Sequence, residues 1–424
     1  MSSIWNKIKL ALADHDLRAR MLFVLFALMI FRLGATIPVP GVDRLALEKF
    51  FAGSQVFGLM DIFSGGGLSN LSIFMLGVGP YITASIIMQL MTMIFPKMKE
   101  MYQEAGSAGR IKFAQYSRLL SVPLAFFQGL SFLTILGNQG VLLVGSSLFD
   151  KLVMALVITA GSTLLMWIGE LITEYGIGNG LSLIIFSGIV ARIPTTAGEL
   201  AYKFELSQLP TYIGFLIVAI VIVAGVVVIS EAERPIPVTY AKRVRGNKVY
   251  GGTSTYLPLR VNQAGVIPII FALSFLLFPQ MFVKFLSGLN IPTLTTISDF
   301  LSALLNNQLI YGSAYFLLVV LFTYFYTAVT FDPDSISSNL QKSGAFIPGI
   351  RPGVSTTDYL NSVLVRLTLV GSLFLGFIAI LPLIMRAVTG DSSLAIGGTA
   401  LLIVVSVVLE LVRQIDAQIS MREY

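Results

Sequence analysis

The sequence predicts an all-α polytopic membrane protein of ten transmembrane helices arranged as two inverted five-helix halves. Three observations carry that prediction. The chain is 55% hydrophobic and only 12% charged, with a mean hydropathy of +0.84, too little polar surface to cover a soluble globule. Apolar runs long enough to cross a hydrocarbon core of ~30 Å recur along the whole length. Lysine and arginine collect in alternate loops, as insertion requires of a multi-span chain.

The elements follow in order. Residues 1–20 read as an amphipathic lead helix on the cytoplasmic surface, without the small-residue cleavage site of a signal peptide. Spans are predicted near 21–37, 71–95, 119–136, 150–171 and 181–193, and again near 212–230, 264–286, 309–329, 362–385 and 395–412. The first five fill a half over 21–200 and the second five a half over 201–412; 413–424 is left as a cytoplasmic tail. An even count places both termini on one side. Most of the 28 lysines and arginines, from Lys7 and Arg18 through Lys97, Arg110, Arg234, Lys342 and Arg413, lie on the same side as the termini, which makes that side cytoplasmic. An odd number of spans per half inverts the second relative to the first, a plan common in membrane transport folds.

Catalytic patterns are missing. There is no cysteine, and His15 is the single histidine, which removes disulfides, thiolate chemistry and the usual metal-ligand sets. No phosphate-binding G-x-x-x-x-G-K-[ST] and no G-x-S-x-G occurs. The reading is therefore no enzyme, no cofactor and no metal. Inside the spans Arg32 is nearly the only ionisable side chain, with Glu170, Glu174 and Glu410 near ends. A carrier of ions or polar solutes usually keeps such groups at mid-membrane. A ten-span secondary transporter of a small solute stays open as an alternative, and the scarcity of buried charge weighs against it. An apolar constriction, which seals against ions by dewetting, fits better.

Two cytoplasmic loops are long, 231–263 and 331–360. In the first, VTYAKRV and KVYGGTSTYL flank RGN and predict a projecting β-hairpin. Its cluster Lys242, Arg243, Arg245 and Lys248 suits acidic protein, RNA phosphate or anionic lipid, and equally suits plain positive-inside topology. In the second, GAFIPGIRPG sets Arg351 among prolines and glycines, one cation at a stiffened tip. The stretch GLMDIFSGGGLSN breaks an apolar run at Gly65, Gly66 and Gly67. Such a break leaves amides without partners in lipid, and predicts backbone that lines a water-filled cavity.

Six stretches in order, FRLGATIPVPGVD, FSGGGLSNLSIFMLGVGPYITASIIMQL, GIGNGLSLIIFSGIV, YLPLRVNQAGVIPIIFA, NLQKSGAFIPGIRPG and GGTALLIVV, resemble the SecY family, pore subunits of the bacterial protein-conducting channel. The resemblance implies a central hourglass pore between the halves and a lateral opening to lipid between the second and seventh spans. It implies an aliphatic pore ring of Val78, Ile82, Ile185, Ile270 and Ile403, Val78 standing where the family often has isoleucine. A short plug helix near 56–64 would close the pore externally, swinging on the hinge Gly65 to Gly67, whose residues reach backbone angles closed to others. The lateral gate helices would be Ser72 to Phe95 and Val261 to Phe285, with Thr83 and Gln89 easing their separation. Arg351 and the basic hairpin would dock the motor ATPase SecA and the ribosome. The remaining implied partners are the small membrane subunits SecE and SecG, an unfolded preprotein or signal peptide, and membrane lipid.

Overall fold

The computed structural model describes residues 14–39, 64–68, 70–104, 106–138, 140–142, 147–202, 209–240, 243–245, 248–250, 254–276, 307–389 and 397–420. A helix falls on every predicted span. In chain order these are α1 (His15–Ala35), α2 (Gly79–Ile94), the short α3 (Pro96–Lys99), α4 (Gly106–Asn138), α5 (Leu148–Tyr175), α6 (Gly180–Tyr202) and α7 (Leu209–Glu231). Then follow α8 (Ile267–Leu276), α9 (Gln308–Thr330), the amphipathic α10 (Pro333–Lys342), α11 (Val354–Thr389) and α12 (Gly397–Ser420). Among the described residues five helices are long and apolar enough to cross a membrane, and α2, the first part of α6 and α8 are shorter apolar helices.

Helix ends are written in the sequence. Asp14, Ser147, Asn307 and Asp332 each accept backbone N–H bonds at an N-terminus, the common use of short polar side chains there. Asn179 caps α6 by accepting from Leu181 and Ser182. α5 stops at Gly176, whose amide bonds back to the Ile172 carbonyl.

α4 packs on α2 and α5, and α5 packs on α1 and α6. Later in the chain α11 packs on α9 and α12, and α12 packs on α7. The two sets meet where α6 lies on α12. Among the described residues, Arg118 Nε of α4 reaches Glu170 Oε1 of α5 at 2.5 Å, and Arg413 Nη2 of α12 reaches Glu231 Oε1 of α7 at 2.6 Å. Apolar packing does the rest. One large buried cluster runs from Phe31 of α1 through α2, α5, α6, α8, α9 and α11 to Val407 of α12. A second joins Leu68, Leu71 and Met75 to Phe132 of α4 and Ile158 of α5.

Two expectations change. The second span does not begin at 71 or 72: the helix starts at Gly79, with Pro80 in its first turn, and residues 64–68 and 70–78 form a chain of turns. The tail is not separate, since α12 runs on to Ser420 and packs Leu411, Ile415 and Ile419 around Leu17 and Ile177. The lead helix over 1–20 is described only from His15, where it is the opening turn of α1. The predicted hairpin forms as β1 (Glu233–Tyr240) against β4 (Ser254–Arg260), extended by β2 (Arg243–Arg245) against β3 (Lys248–Tyr250). A strand from the other long loop, β5 (Ala345–Phe346), pairs antiparallel with β1. The two loops are thus one body, order β4-β1-β5, packed over Ile236, Val238, Leu259, Ala345, Ile347 and Leu360.

Candidate channel seal and docking surface

The polar groups of the turn chain find partners within it and on neighbouring segments. Gly65, Gly66 and Gly77 take positive φ, and Leu71 follows at +42°. The Ser72 amide bonds the Gly67 carbonyl at 2.8 Å, the Val39 amide bonds the Leu71 carbonyl at 2.7 Å and the Ile73 amide bonds the Ile37 carbonyl at 3.1 Å. From α5, Ser162 Oγ donates to the Gly77 carbonyl at 2.9 Å. Ser64, Leu68, Leu71, Phe74 and Met75 are all buried. Most of the broken backbone is therefore buried in protein and paired with it, while Gly66 is half-buried and Asn70 exposed, a setting that spares its amides contact with lipid.

The three glycines play unequal parts. A Cβ on Gly67 would lie 2.8 Å from the Phe74 carbonyl oxygen, and one on Gly65 would overlap the Phe31 ring and stand 3.2 Å from Gly188 Cα. A Cβ on Gly66, at φ +83°, would meet nothing within 4 Å. Close packing demands Gly65 and Gly67, and backbone angle alone demands Gly66. The proposed plug over 56–63 lies outside the described residues.

The five aliphatic side chains of the expected ring are all buried. Val78 caps α2 and is fully buried, and Ile82 stands one turn further. Ile185 comes from α6, Ile270 from α8 and Ile403 from α12, each buried. All five belong to the same apolar cluster. On the side of the β-sheet, a polar cavity of about 340 Å³ is lined by Asn179, Ser182, Asn262, Tyr326, Ser406 and Glu410 among others. Val266 and Val407 line that cavity and also belong to the cluster. The polar lining of the cavity therefore adjoins the apolar cluster at Val266 and Val407.

Thr83 and Gln89 sit half-buried on α2. The Thr83 hydroxyl donates to the Gly79 carbonyl of its own helix at 3.0 Å. Gln89 Oε1 is buried without a hydrogen-bond partner among the described residues, as is Asn262 Oδ1 at the mouth of α8. On the sheet body, Arg351 is exposed between Gly349 and Gly353, both at positive φ. Its carbonyl accepts from Thr356 Oγ1 at 2.9 Å, and Ser337 Oγ fixes the Gly353 carbonyl at 2.8 Å. Those bonds hold the tip rigid from both sides. Arg243 pairs with Tyr250 and Arg245 with Lys248 in the outer hairpin; Lys242 lies outside the described residues.

Sequence reasoning passed over Phe31, Gly161, Ser162 and Gly188. The pair Gly161 and Ser162 at the middle of the fourth span was a readable sign, since small residues within a span mark close approach of another backbone. A Cβ on Gly161 would overlap the Ile73 carbonyl.

The family model described as SecY matches residues 72–412. A relative in Mycobacterium tuberculosis, described as protein translocase subunit SecY, is 44% identical over 433 residues, covering 98% of this chain and 97% of its own. Among solved structures, one of a SecY protein, whose plug domain is described as stabilising the closed state of the translocation channel and maintaining a membrane seal, aligns with TM-score 0.63 and 21% identity. It covers 95% of this chain and 92% of the other. Canine Sec61, from a ribosome–channel complex of the endoplasmic reticulum, aligns with TM-score 0.64 and 20% identity over 95% of this chain and 92% of its own. At those identities the structures speak to fold, and the family model and the nearly full-length relative speak to descent: the chain is a multi-pass membrane protein of the SecY family.

Proposed function

We propose that this chain is the pore subunit of a protein-conducting channel in the cytoplasmic membrane, with both termini in the cytoplasm. It passes unfolded secretory polypeptides and releases apolar segments sideways into lipid. One observation supports the reading: Val78 and Ile82 of α2, Ile185 of α6, Ile270 of α8 and Ile403 of α12 all belong to one buried apolar cluster, of which Val266 and Val407 line a polar cavity. In the resting chain they form a seal by dewetting, and a polypeptide parts them because aliphatic side chains yield without breaking any polar bond. The family assignment supports this over the small-solute carrier.

The two helix sets, α1 to α6 and α7 to α12, act as halves that separate on the side of α2 and α8, with Thr83 and Gln89 on the opening face. Apolar client segments gain ~25 cal/mol per Å² on leaving water, so an opened flank lets them partition unaided. Polar chain has no such gain and must be pushed. The chain carries no nucleotide motif, so the push is supplied by a partner. SecA and the ribosome dock on the β4-β1-β5 body through Arg351 and the hairpin cations Lys242, Arg243, Arg245 and Lys248. SecE and SecG cover lipid-facing helices. Residues 56–64 serve as the plug. The canine relative's ribosome complex supports the ribosome as partner.

The test is conductance. Replacing the five cluster residues with glycine in the reconstituted complex is expected to turn an ion-tight channel into a leaking one, read as steady current across a planar bilayer. An unchanged current would remove the seal from these residues.

A further inference from the structure

A charged residue inside a span is costly and calls for a reason. Arg32 sits in the last turn of α1 with its guanidinium turned inward: Nη1 donates to the Gly65 carbonyl at 2.8 Å. The group it holds lies at a junction. Gly65 has no room for a side chain between the Phe31 ring of α1 and the Gly188 backbone of α6, and a Cβ on Gly188 would in turn overlap Gly65 Cα. Phe31 is fully buried and stacks on Phe74 with ring centroids 6.1 Å apart. Gly188 stands one turn beyond Ile185 on α6, and the turn chain that starts at Gly65 ends at Val78. One hydrogen bond therefore fastens α1, the turn chain and α6 at a point that feeds two members of the apolar cluster.

We infer that Arg32 is a positioning residue of the closed state: by holding the Gly65 carbonyl it clamps the glycine turn between Phe31 and Gly188, and so keeps Val78 and Ile185 in register for the seal. This rests on reading that cluster as the seal. Arginine suits the task because its charge is permanent and its fork is rigid, so the bond survives in surroundings that would neutralise a lysine. Gly188 is the matching surface, flat enough for backbone to lie on backbone.

The experiment compares ion conductance of the reconstituted complex in planar bilayers for Arg32→Leu, Arg32→Gln, Gly188→Ala and the five-residue glycine variant. Losing one charged hydrogen bond is expected to shift the closed-to-open ratio roughly tenfold, so Arg32→Leu should leak roughly tenfold more than the parent. Arg32→Gln, which keeps a donor, should leak less than Arg32→Leu, and Gly188→Ala should leak with the charge untouched. Transport of a preprotein should persist in all three, which separates lost positioning from lost folding. A tight Arg32→Leu channel beside a leaking glycine variant overturns the inference and leaves the seal standing; Arg32 would then merely extend toward the interface. A tight glycine variant overturns the seal and the inference together. If Arg32→Leu does not insert, Gly188→Ala decides, and a tight channel there overturns the clamp.

Discussion

Two stretches of non-helical backbone, the turn chain over residues 64–68 and 70–78 and the β4-β1-β5 body, solve one problem by opposite means. The sheet satisfies its amides through strand pairing, in register from Glu233 opposite Arg260 to Thr239 opposite Ser254, and it owns a separate core around Leu259 and Leu360. The turn chain has no such autonomy. Its bonds run to Ile37, Val39 and Ser162, and its side chains sit in clusters shared with α1, α4 and α5. A stretch that borrows its partners from helices can transmit their movement to Val78, whereas a stretch that carries its own core can bear load from the proposed partners without disturbing the proposed seal.

The contrast can be broken most forcefully at Gly161. Gly161→Ala drives a methyl group into the Ile73 carbonyl, an overpacking expected to cost about 3 kcal/mol because the obstacle is backbone. Thermal unfolding of the purified complex should fall sharply and ion leak should rise; an unaltered melting point would mean that the turn chain gives way freely. Leu259→Ala removes a fully buried side chain from the sheet body and is expected to cost about 2 to 4 kcal/mol, confined to that body. Proteolysis of loops 231–263 and 331–360 should speed up while the channel stays ion-tight. A leaking Leu259→Ala channel would show that the two stretches are coupled.

The smallest structural effect belongs to Arg351→Glu. Among the described residues the Arg351 side chain has no ion-pair partner, so stability should change by less than about 0.5 kcal/mol. Motor-driven export of a preprotein into vesicles should nonetheless drop, since charge is reversed at the docking tip. Export at the parent rate would return that tip to an ordinary turn.

Span positions and the hairpin were legible because each depends on local chemistry: apolar runs of span length, and Gly246 and Asn247 between strand-like runs. The proposed ring rests on the ordered resemblance and not on any local pattern. Taken singly, Ile185 or Ile403 is an aliphatic residue on an apolar helix like its neighbours. The union of the two long loops was hidden, because β5 is only Ala345–Phe346 and pairs with β1 from about a hundred positions away. A two-residue strand has no period of its own.

By itself the sequence determined the membrane class, the order of spans and the break at Gly65 to Gly67, since hydropathy, charge placement and glycine content act along the chain. Tertiary structure alone decided what the break is for. Steric fit to Phe31, Phe74 and Gly188 and the bond from Arg32 assign each glycine its reason, and those groups meet only because helices distant in sequence are pressed together by the burial of apolar surface.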